Sequence, residues 1–193
     1  TQIPYSACKG IQVTQKADVM YLTESSIKPQ KLTRTSATAF NMVDVAPSGI
    51  DYNTTGYPRS VTFYKSRLWM GGFAKKVTTI KASRVADYEN FTIPTENIKD
   101  DDPLSLQLTE ITDPISWIVG GKRNLIVGNT EGISVINGGN IGTTITSTAV
   151  NADLANKEGA SSAMPTEKDS QMIYIGTDKT KVYAFDYDLV SET

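Results

Sequence analysis

Short apolar triplets recur along the chain at nearly even spacing, each followed by a polar or glycine-containing turn. The triplets are Met20-Tyr21-Leu22, Leu68-Trp69-Met70, Leu125-Ile126-Val127 and Ile173-Tyr174-Ile175, with centres 48, 57 and 48 residues apart. A second apolar-polar segment follows each of them, at 30–33, 78–81, 133–136 and 182–185. Short runs of this kind, bounded by turn residues, predict paired β-strands.

Two further segments complete predicted hairpins with these triplets. Residues 61–64 lead through a loop at 65–67 into the second triplet, and residues 116–119 lead into the third. Loops of roughly three to five residues are common in hairpins. Helical signals are weak, and only 150–159 has the composition of a short helix.

The repeat of about 50 residues, with three or four short strands in each unit, is typical of β-propeller blades. The sequence therefore predicts an all-β chain that forms one propeller-like domain of about four blades. The approximate units are 1–50, 51–100, 101–145 and 146–193. The domain is either a complete small propeller or part of a larger one, and an irregular β-sandwich with chance spacing is the alternative. Because the initiator Met is missing, we expect a chain that has been processed or excised from something longer.

Composition excludes several function classes. The 19 basic and 21 acidic residues give a net charge of −2, which does not favour a broad basic face for nucleic acid. The single cysteine, Cys8, excludes an internal disulfide. The absence of histidine removes the commonest general base and the usual zinc ligands. No stretch is long and apolar enough for a membrane span. We expect no catalytic residue, metal site or cofactor.

Acidic residues and tryptophans are the remaining candidates for chemistry. Asp100-Asp101-Asp102 lacks the spacing of a calcium-binding EF-hand, so we expect a solvated loop or a contact with a basic partner. Trp69 and Trp117 lie in the middle of apolar runs, which favours core packing over stacking on a sugar or a base. A glycosidase needs two carboxylates about 5–10 Å apart. Seven scattered acids keep that alternative open: Asp18, Asp44, Asp51, Asp87, Glu89, Glu110 and Asp113.

Several segments, taken in order, resemble a known family. They are Ile3-Pro4-Tyr5, 15–22 (QKADVMYL), 29–34 (PQKLTR), 57–68 (YPRSVTFYKSRL), 82–83, 87–91 (DYENF), 100–104 (DDDPL) and 118–128. Together they resemble the tail tubular protein B family of short-tailed phages, also called tail nozzle proteins, over about residues 3–188. Thr23-Glu24 departs from the family pattern, so no contact is carried over to that position.

The resemblance implies a structural protein of the phage virion, made in the host cytoplasm, rather than an enzyme. Family members form a hexameric ring next to the portal and adaptor, meet tail fibres, and let DNA pass without specific binding. The basic pairs Lys75-Lys76 and Lys122-Arg123 are then either solvated turns or part of the DNA passage. From charge and predicted loop position, the residues expected to contact a subunit or tail partner are Arg59, Arg67, Arg84, Asp100, Asp101 and Asp102. The alternatives are a tail protein that binds or degrades envelope carbohydrate and a monomeric ligand-binding β-propeller.

Overall fold

We describe the protein from a computed structural model, which covers residues 3–140, 143–169 and 171–186. These residues form four small antiparallel sheets whose strands neighbour one another in chain order. Sheet 1 contains β1 (Gln12–Lys16), β2 (Val19–Glu24), β3 (Ile27–Arg34) and β4 (Phe40–Asp44). Sheet 2 contains β5 (Pro58–Tyr64), β6 (Arg67–Phe73), β7 (Lys76–Ala82) and β8 (Leu104–Gln107). Sheet 3 contains β9 (Ile115–Gly120), β10 (Leu125–Asn129), β11 (Ile133–Asn137) and β12 (Asn151–Asn156). Sheet 4 contains β13 (Thr166–Lys168), β14 (Gln171–Ile175) and β15 (Val182–Asp186).

The repeated pattern in the sequence corresponds to the same two strands of every sheet. The four apolar triplets lie in β2, β6, β10 and β14, which are the second strands. The segments that follow them lie in β3, β7, β11 and β15, which are the third strands, and each pairs with the strand before it. The all-β prediction and the strand pairing within the repeat are therefore confirmed.

Two boundaries of the sheets differ from the predicted units. The second unit was expected to end at 100, but β8 pairs with β7 and so extends sheet 2 to residue 107. The third unit was expected to end at 145, but β12 pairs with β11 and extends sheet 3 to residue 156. In both cases a long connection precedes the fourth strand, and the repeat in the sequence contains no signal for it.

The one predicted helical segment, 150–159, is wrong, because most of it forms β12. Ala152 and Leu154 pack against the core between sheets 2 and 3, and this packing outweighs a weak local preference for helix. The helical elements of the described residues are instead a 3-10 helix at Tyr5–Gly10 and α1 at Tyr52–Thr55. Asp51 begins α1, since its side chain accepts a hydrogen bond from the backbone N–H of Asn53 at 2.9 Å.

The hairpin between β5 and β6 turns through two residues rather than three. Lys65 and Ser66 both have positive φ angles, 46° and 59°, as the tightest hairpin turns require. Arg67 was expected in the loop but is the first residue of β6, directly opposite Tyr64. The shorter turn therefore moves Arg67 from the surface into the sheet.

Three apolar clusters fill the spaces between consecutive sheets. Tyr21, Val61 and Leu68 belong to the cluster between sheets 1 and 2. Trp69 lies in the cluster between sheets 2 and 3, and Trp117 in the cluster between sheets 3 and 4. Both indoles are fully buried, and each donates its Nε1–H to a backbone carbonyl at 3.1 Å. The expectation that the tryptophans pack in the core is confirmed.

Polar contacts join the first strands of sheets 1, 2 and 3 to one another. The Thr14 hydroxyl in β1 accepts a hydrogen bond from the N–H of Phe63 in β5 at 3.1 Å. The Ser60 hydroxyl in β5 accepts one from the N–H of Ile118 in β9 at 2.8 Å. The carboxamide of Gln12 in β1 donates to a backbone carbonyl in β9 at 2.6 Å. β1, β5 and β9 are thus mutually connected. In the part of the chain that is described, no helix is long and apolar enough to cross a membrane.

Candidate functional site

Five of the six predicted contact residues come together at the connection between β7 and β8, here called the β7–β8 loop (residues 83–103). Arg67 reaches the loop from the start of β6, while Arg84 and the three aspartates belong to the loop itself. Arg59 lies apart from them, in β5, where it lines a separate hollow. Residues of opposite charge therefore meet within one chain, and their predicted contact with a subunit or tail partner stays a prediction.

Arg67 anchors the β7–β8 loop from inside the protein. Its side chain is only 1% exposed. Nη1 donates to the carbonyls of Ser83 and Asp102, both at 2.7 Å, and Nη2 donates to the carbonyl of Asp100 at 2.5 Å. The guanidinium thus fixes the two ends of the loop through backbone atoms. Burial lowers the pKa of Arg67, and the nearby charges of the three aspartates oppose that shift.

Arg84 and Asp101 form an ion pair at the surface of the same loop. Asp101 Oδ2 accepts hydrogen bonds from Arg84 Nη2 at 2.9 Å and from Nε at 3.2 Å. This contact lowers the pKa of Asp101 and raises that of Arg84. Because both side chains are largely exposed to solvent, we expect the pair to contribute little to stability.

The three aspartates point to different partners. Asp102 is buried, and its Oδ2 accepts a hydrogen bond from the Lys99 N–H at 2.8 Å. Asp100 accepts one from the hydroxyl of Thr148. Among the described residues, no group of three or more acidic or cysteine side chains is arranged to hold a metal ion. The expectation of a solvated acidic run is therefore corrected, because Asp102, like Arg67, belongs to the interior.

The anchored loop presents apolar side chains to solvent. Val85, Ile93 and Ile98 are 37%, 40% and 47% exposed. On its other side, the loop packs Phe91 into the core between sheets 1 and 2. Large apolar side chains on a well-fixed backbone are a common feature of protein contact surfaces.

A second cluster, which the sequence analysis did not identify, ties the same loop to sheet 1. Glu89 accepts hydrogen bonds from the Tyr21 hydroxyl at 2.9 Å and from Lys31 Nζ at 2.5 Å. The Lys16 ammonium lies 4.8 Å from the centre of the Tyr88 ring. Burial raises the pKa of Tyr21, and its hydrogen bond to Glu89 raises it further. The segment 87–91 (DYENF) contains no sequence signal for these partners in β1, β2 and β3.

The seven acids considered for glycoside hydrolysis each have a structural partner. Three form ion pairs with lysine or arginine, and four accept hydrogen bonds that stabilise turns, helix α1 or neighbouring strands. The pairs are Asp18–Arg34, Asp44–Lys28, Glu89–Lys31, Asp51–Asn53, Asp87–Asn90, Glu110–Leu154 and Asp113–Thr130. These contacts account for the acids as parts of the fold.

Comparisons with known proteins give structural similarity only. No protein-family model matches the chain, and no curated protein matches it. Among solved structures, the computationally designed Ika4 protein is similar at 13% identity and a TM-score of 0.48, over 91% of each chain. The computationally designed Ika8 protein is similar at 11% identity and a TM-score of 0.42, over 91% of this chain and 58% of that one. The function must therefore be argued from the residues of the chain itself.

Proposed function

We propose that this chain is a non-catalytic structural domain that acts by contacting other protein subunits. In the context that the resemblance implies, it forms part of a ring-shaped tail nozzle in a phage virion, through which the genome leaves. The adaptor and tail fibres are its further partners. The observation that carries the proposal is the β7–β8 loop, which combines a fixed backbone with exposed apolar side chains.

The fixed backbone favours binding because little conformational freedom is lost when a partner docks. Arg67 holds both ends of the loop, and Glu89 ties its middle to Tyr21 and Lys31. Ile93 and Ile98 lie between these anchors and are exposed. A loop that only connected two strands would need neither the anchors nor the exposed isoleucines.

The occupant we propose for this surface is a second copy of the chain. The loop carries six acidic and two basic residues, so it is strongly negative. Lys75, in the turn between β6 and β7, and Lys76, the first residue of β7, are both exposed. A negative loop of one copy that meets a positive turn of the next makes a contact between two different surfaces. Contacts of this type close into rings when the rotation between copies allows it.

The same proposal includes a four-bladed propeller arrangement of the sheets. Its support is the mutual contact of β1, β5 and β9, which are the first strands of their sheets. In a propeller, the first strands of the blades surround a common axis. The apolar clusters between consecutive sheets are the packing that such stacked blades need.

Light scattering across a range of concentrations tests the proposal. The experiment compares the particle mass of two chains. One is the 193-residue chain, and the other is a longer chain with the flanking coding sequence restored. The variant replaces Ile93 and Ile98 with aspartate, and the control replaces Val182, which is exposed on β15 outside the loop, with aspartate. We expect the longer chain to form a closed particle near a hexamer, the double variant to lose it, and the control to retain it.

Two results contradict the proposal in different ways. A longer chain that stays monomeric at all concentrations overturns the ring. A ring that survives in the Ile93 and Ile98 variant overturns the role of the β7–β8 loop and moves the contact elsewhere. In the first case, binding and cleavage of envelope polysaccharides become the next measurements.

A further inference from the structure

The outer edge of sheet 1 is open. β4 is the last strand of this sheet, and within the described ranges it pairs only with β3. All of its residues except Met42 are exposed. Phe40 and Val43, on opposite faces of the strand, are 61% and 37% exposed. An edge strand of this kind offers a row of backbone donors and acceptors to another strand.

β4 lacks the features that protect the outer strands of sheets 2 and 3. It has no proline, lysine or arginine, its one charge is at its end, and its pairing with β3 has no bulge. β8, the outer strand of sheet 2, is short and directly follows Pro103. β12, the outer strand of sheet 3, has Asp153 near its centre and a bulge in its pairing with β11. Short length, proline, charge and bulges oppose pairing between edges, so β4 is the least protected of the three.

The hydrogen bonds beside β4 determine which of its backbone groups face the open edge. The Val45 N–H donates to the Pro29 carbonyl at 2.8 Å, and the Thr35 N–H donates to the Ala39 carbonyl at 2.9 Å. Hydrogen-bonded and non-hydrogen-bonded pairs alternate along an antiparallel ladder. In the register of β3 and β4, the odd-numbered residues of β4 therefore bond to β3.

The even-numbered residues of β4 present their N–H and C=O groups to the open edge. They are Phe40, Met42 and Asp44, and they are arranged symmetrically about Met42. A second β4 could lie antiparallel with the two Met42 residues opposite each other. Phe40 of each copy would then face Asp44 of the other. Each opposed pair exchanges two hydrogen bonds, so this single register pairs every N–H and C=O group on both open edges.

The side chains of β4 are compatible with the same register. Asp44 is the only charged residue of the strand, and it would lie opposite Phe40 of the second copy, so like charges do not meet. Its own partners, Gln30 Nε2 at 2.8 Å and Lys28 Nζ at 3.5 Å, belong to β3 and stay in place. Phe40 would be a diagonal neighbour of Met42 in the second copy, which covers part of the exposed ring.

We propose that β4 binds β4 of a second copy of the chain, antiparallel and centred on Met42. The two four-stranded sheets then form one continuous sheet across both copies. Because each copy uses the same surface, the contact is two-fold symmetric and ends at a dimer. The proposal does not rest on the subunit contact at the β7–β8 loop, which joins two different surfaces.

Disulfide cross-linking of the 193-residue chain tests the pairing and its register. Cys8, the only cysteine, is replaced with serine in every variant. Met42→Cys should form a disulfide between copies under mild oxidation, because the Cα atoms of a hydrogen-bonded pair lie about 5.5 Å apart. Phe40→Cys alone should not, because the two Phe40 positions are offset by about 14 Å along the strands. A mixture of Phe40→Cys and Asp44→Cys chains should form the mixed disulfide.

Val182→Cys, in the same Cys8→Ser background, is the control for random collision. Val182 is 69% exposed and lies on β15, away from sheet 1. We expect Met42→Cys to cross-link at least about tenfold faster, because two thiols held opposite each other react at a high effective concentration. The proposal is wrong if Met42→Cys cross-links no faster than Val182→Cys. The register is wrong if Phe40→Cys alone cross-links as fast as Met42→Cys.

Met42→Pro supplies a second test that needs no cysteine. The Met42 N–H points away from β3, so proline removes a donor from the open edge and none from the sheet. The parent chain carries Ile93→Asp and Ile98→Asp, so that the β7–β8 loop does not contribute to the particle mass. By light scattering, this parent should shift from monomer to dimer as its concentration rises, and Met42→Pro should remain a monomer.

Two results of the mass measurement overturn the proposal. One is a parent chain that stays monomeric up to millimolar concentration, and the other is a Met42→Pro chain that forms the same dimer as its parent. If variants at Met42 do not fold, the mixture of Phe40→Cys and Asp44→Cys chains tests the same register. Absence of the mixed disulfide then overturns the pairing. A ring lost only through the loop substitutions leaves the β4 dimer intact, so the two proposals fail separately.

Discussion

Replacing Arg67 with methionine should release the β7–β8 loop from the interior. Methionine retains much of the apolar volume of the arginine stem but donates no hydrogen bond. The carbonyls of Ser83 and Asp100 then lose their donor, and the carbonyl of Asp102 keeps only the Ser147 hydroxyl. A buried acceptor without a partner costs about 1–3 kcal/mol. Since the loop can relax and rehydrate part of these groups, we expect a total loss of about 3–5 kcal/mol in the free energy of unfolding. Most domains have only about 5–15 kcal/mol in all.

Urea unfolding followed by tryptophan fluorescence measures this loss, because both indoles are buried in the core. Amide hydrogen exchange shows in which part of the chain this stability is lost. The Val85 N–H donates to the Asp101 carbonyl at 3.0 Å, and the Asp102 N–H donates to the Lys99 carbonyl at 3.0 Å. These two amides should lose protection by a larger factor than the amides of β10 do. The matched control is Arg84→Met, which breaks only the exposed ion pair with Asp101 and should change stability far less.

The reasoning fails if the free energy of unfolding of the Arg67→Met protein lies within about 1 kcal/mol of that of the unmodified chain, with the same dependence on urea concentration. It also fails if Arg84→Met is equally destabilising, because the buried position would then have no special role. Arg67→Lys distinguishes charge from geometry. Lysine keeps the charge but cannot reach three carbonyls with a planar fork, so we expect it to recover only part of the loss.

Two further substitutions test the core and the seam between sheets 1 and 2. Gly128→Ala would place a Cβ atom 2.2 Å from Cζ2 of the buried Trp117, so we expect a loss of about 1–3 kcal/mol, seen as a lower melting temperature in calorimetry. An unchanged melting temperature would contradict this prediction, because it would mean that the buried Trp117 ring moves away from the new Cβ atom at no cost. Tyr21→Phe should reduce the loss of stability at alkaline pH, because the raised pKa of Tyr21 lets the folded chain keep a proton that the unfolded chain releases near pH 10.0. Urea unfolding of both proteins from pH 8 to above the ordinary tyrosine pKa measures this, and parallel curves contradict it.

The local alternation of the sequence was enough to predict the second and third strands of each sheet. Each of these pairs is adjacent in the chain, and one member is strongly apolar, so the signal is local. β12 could not be predicted in this way, since Asn151–Asn156 is polar, half-exposed and separated from β11 by a long connection. Its strand conformation depends on pairing with β11 and on the packing of Ala152 and Leu154, which no local pattern shows.

The candidate site was predicted in composition but not in arrangement. Arg67, Arg84 and the acidic run were predicted as contacts with a subunit or tail partner, which stays a prediction. The structure brings them to one loop of the same chain, and two of them, Arg67 and Asp102, are interior. The difference arises from one residue in the β5–β6 turn. A three-residue loop would have left Arg67 at the surface, whereas the two-residue turn at Lys65 and Ser66 places it opposite Tyr64. A shift of one position changes which side of a sheet a side chain faces, and sequence alone does not fix it.

The choice of acceptors around Arg67 explains why a buried cation is used at this position. Replacing a buried ionic group with apolar side chains is often neutral or stabilising, so stability alone does not require arginine here. The guanidinium binds backbone carbonyls rather than the aspartate side chains, and it therefore fixes the path of the chain at both ends of the loop. The nearby carboxylates keep the buried group charged without being its hydrogen-bond partners. An apolar residue could fill the same volume, but it would leave the loop backbone free to move and Ile93 and Ile98 without a fixed arrangement. The buried arginine is thus best understood as the element that turns a 21-residue connection into a defined surface.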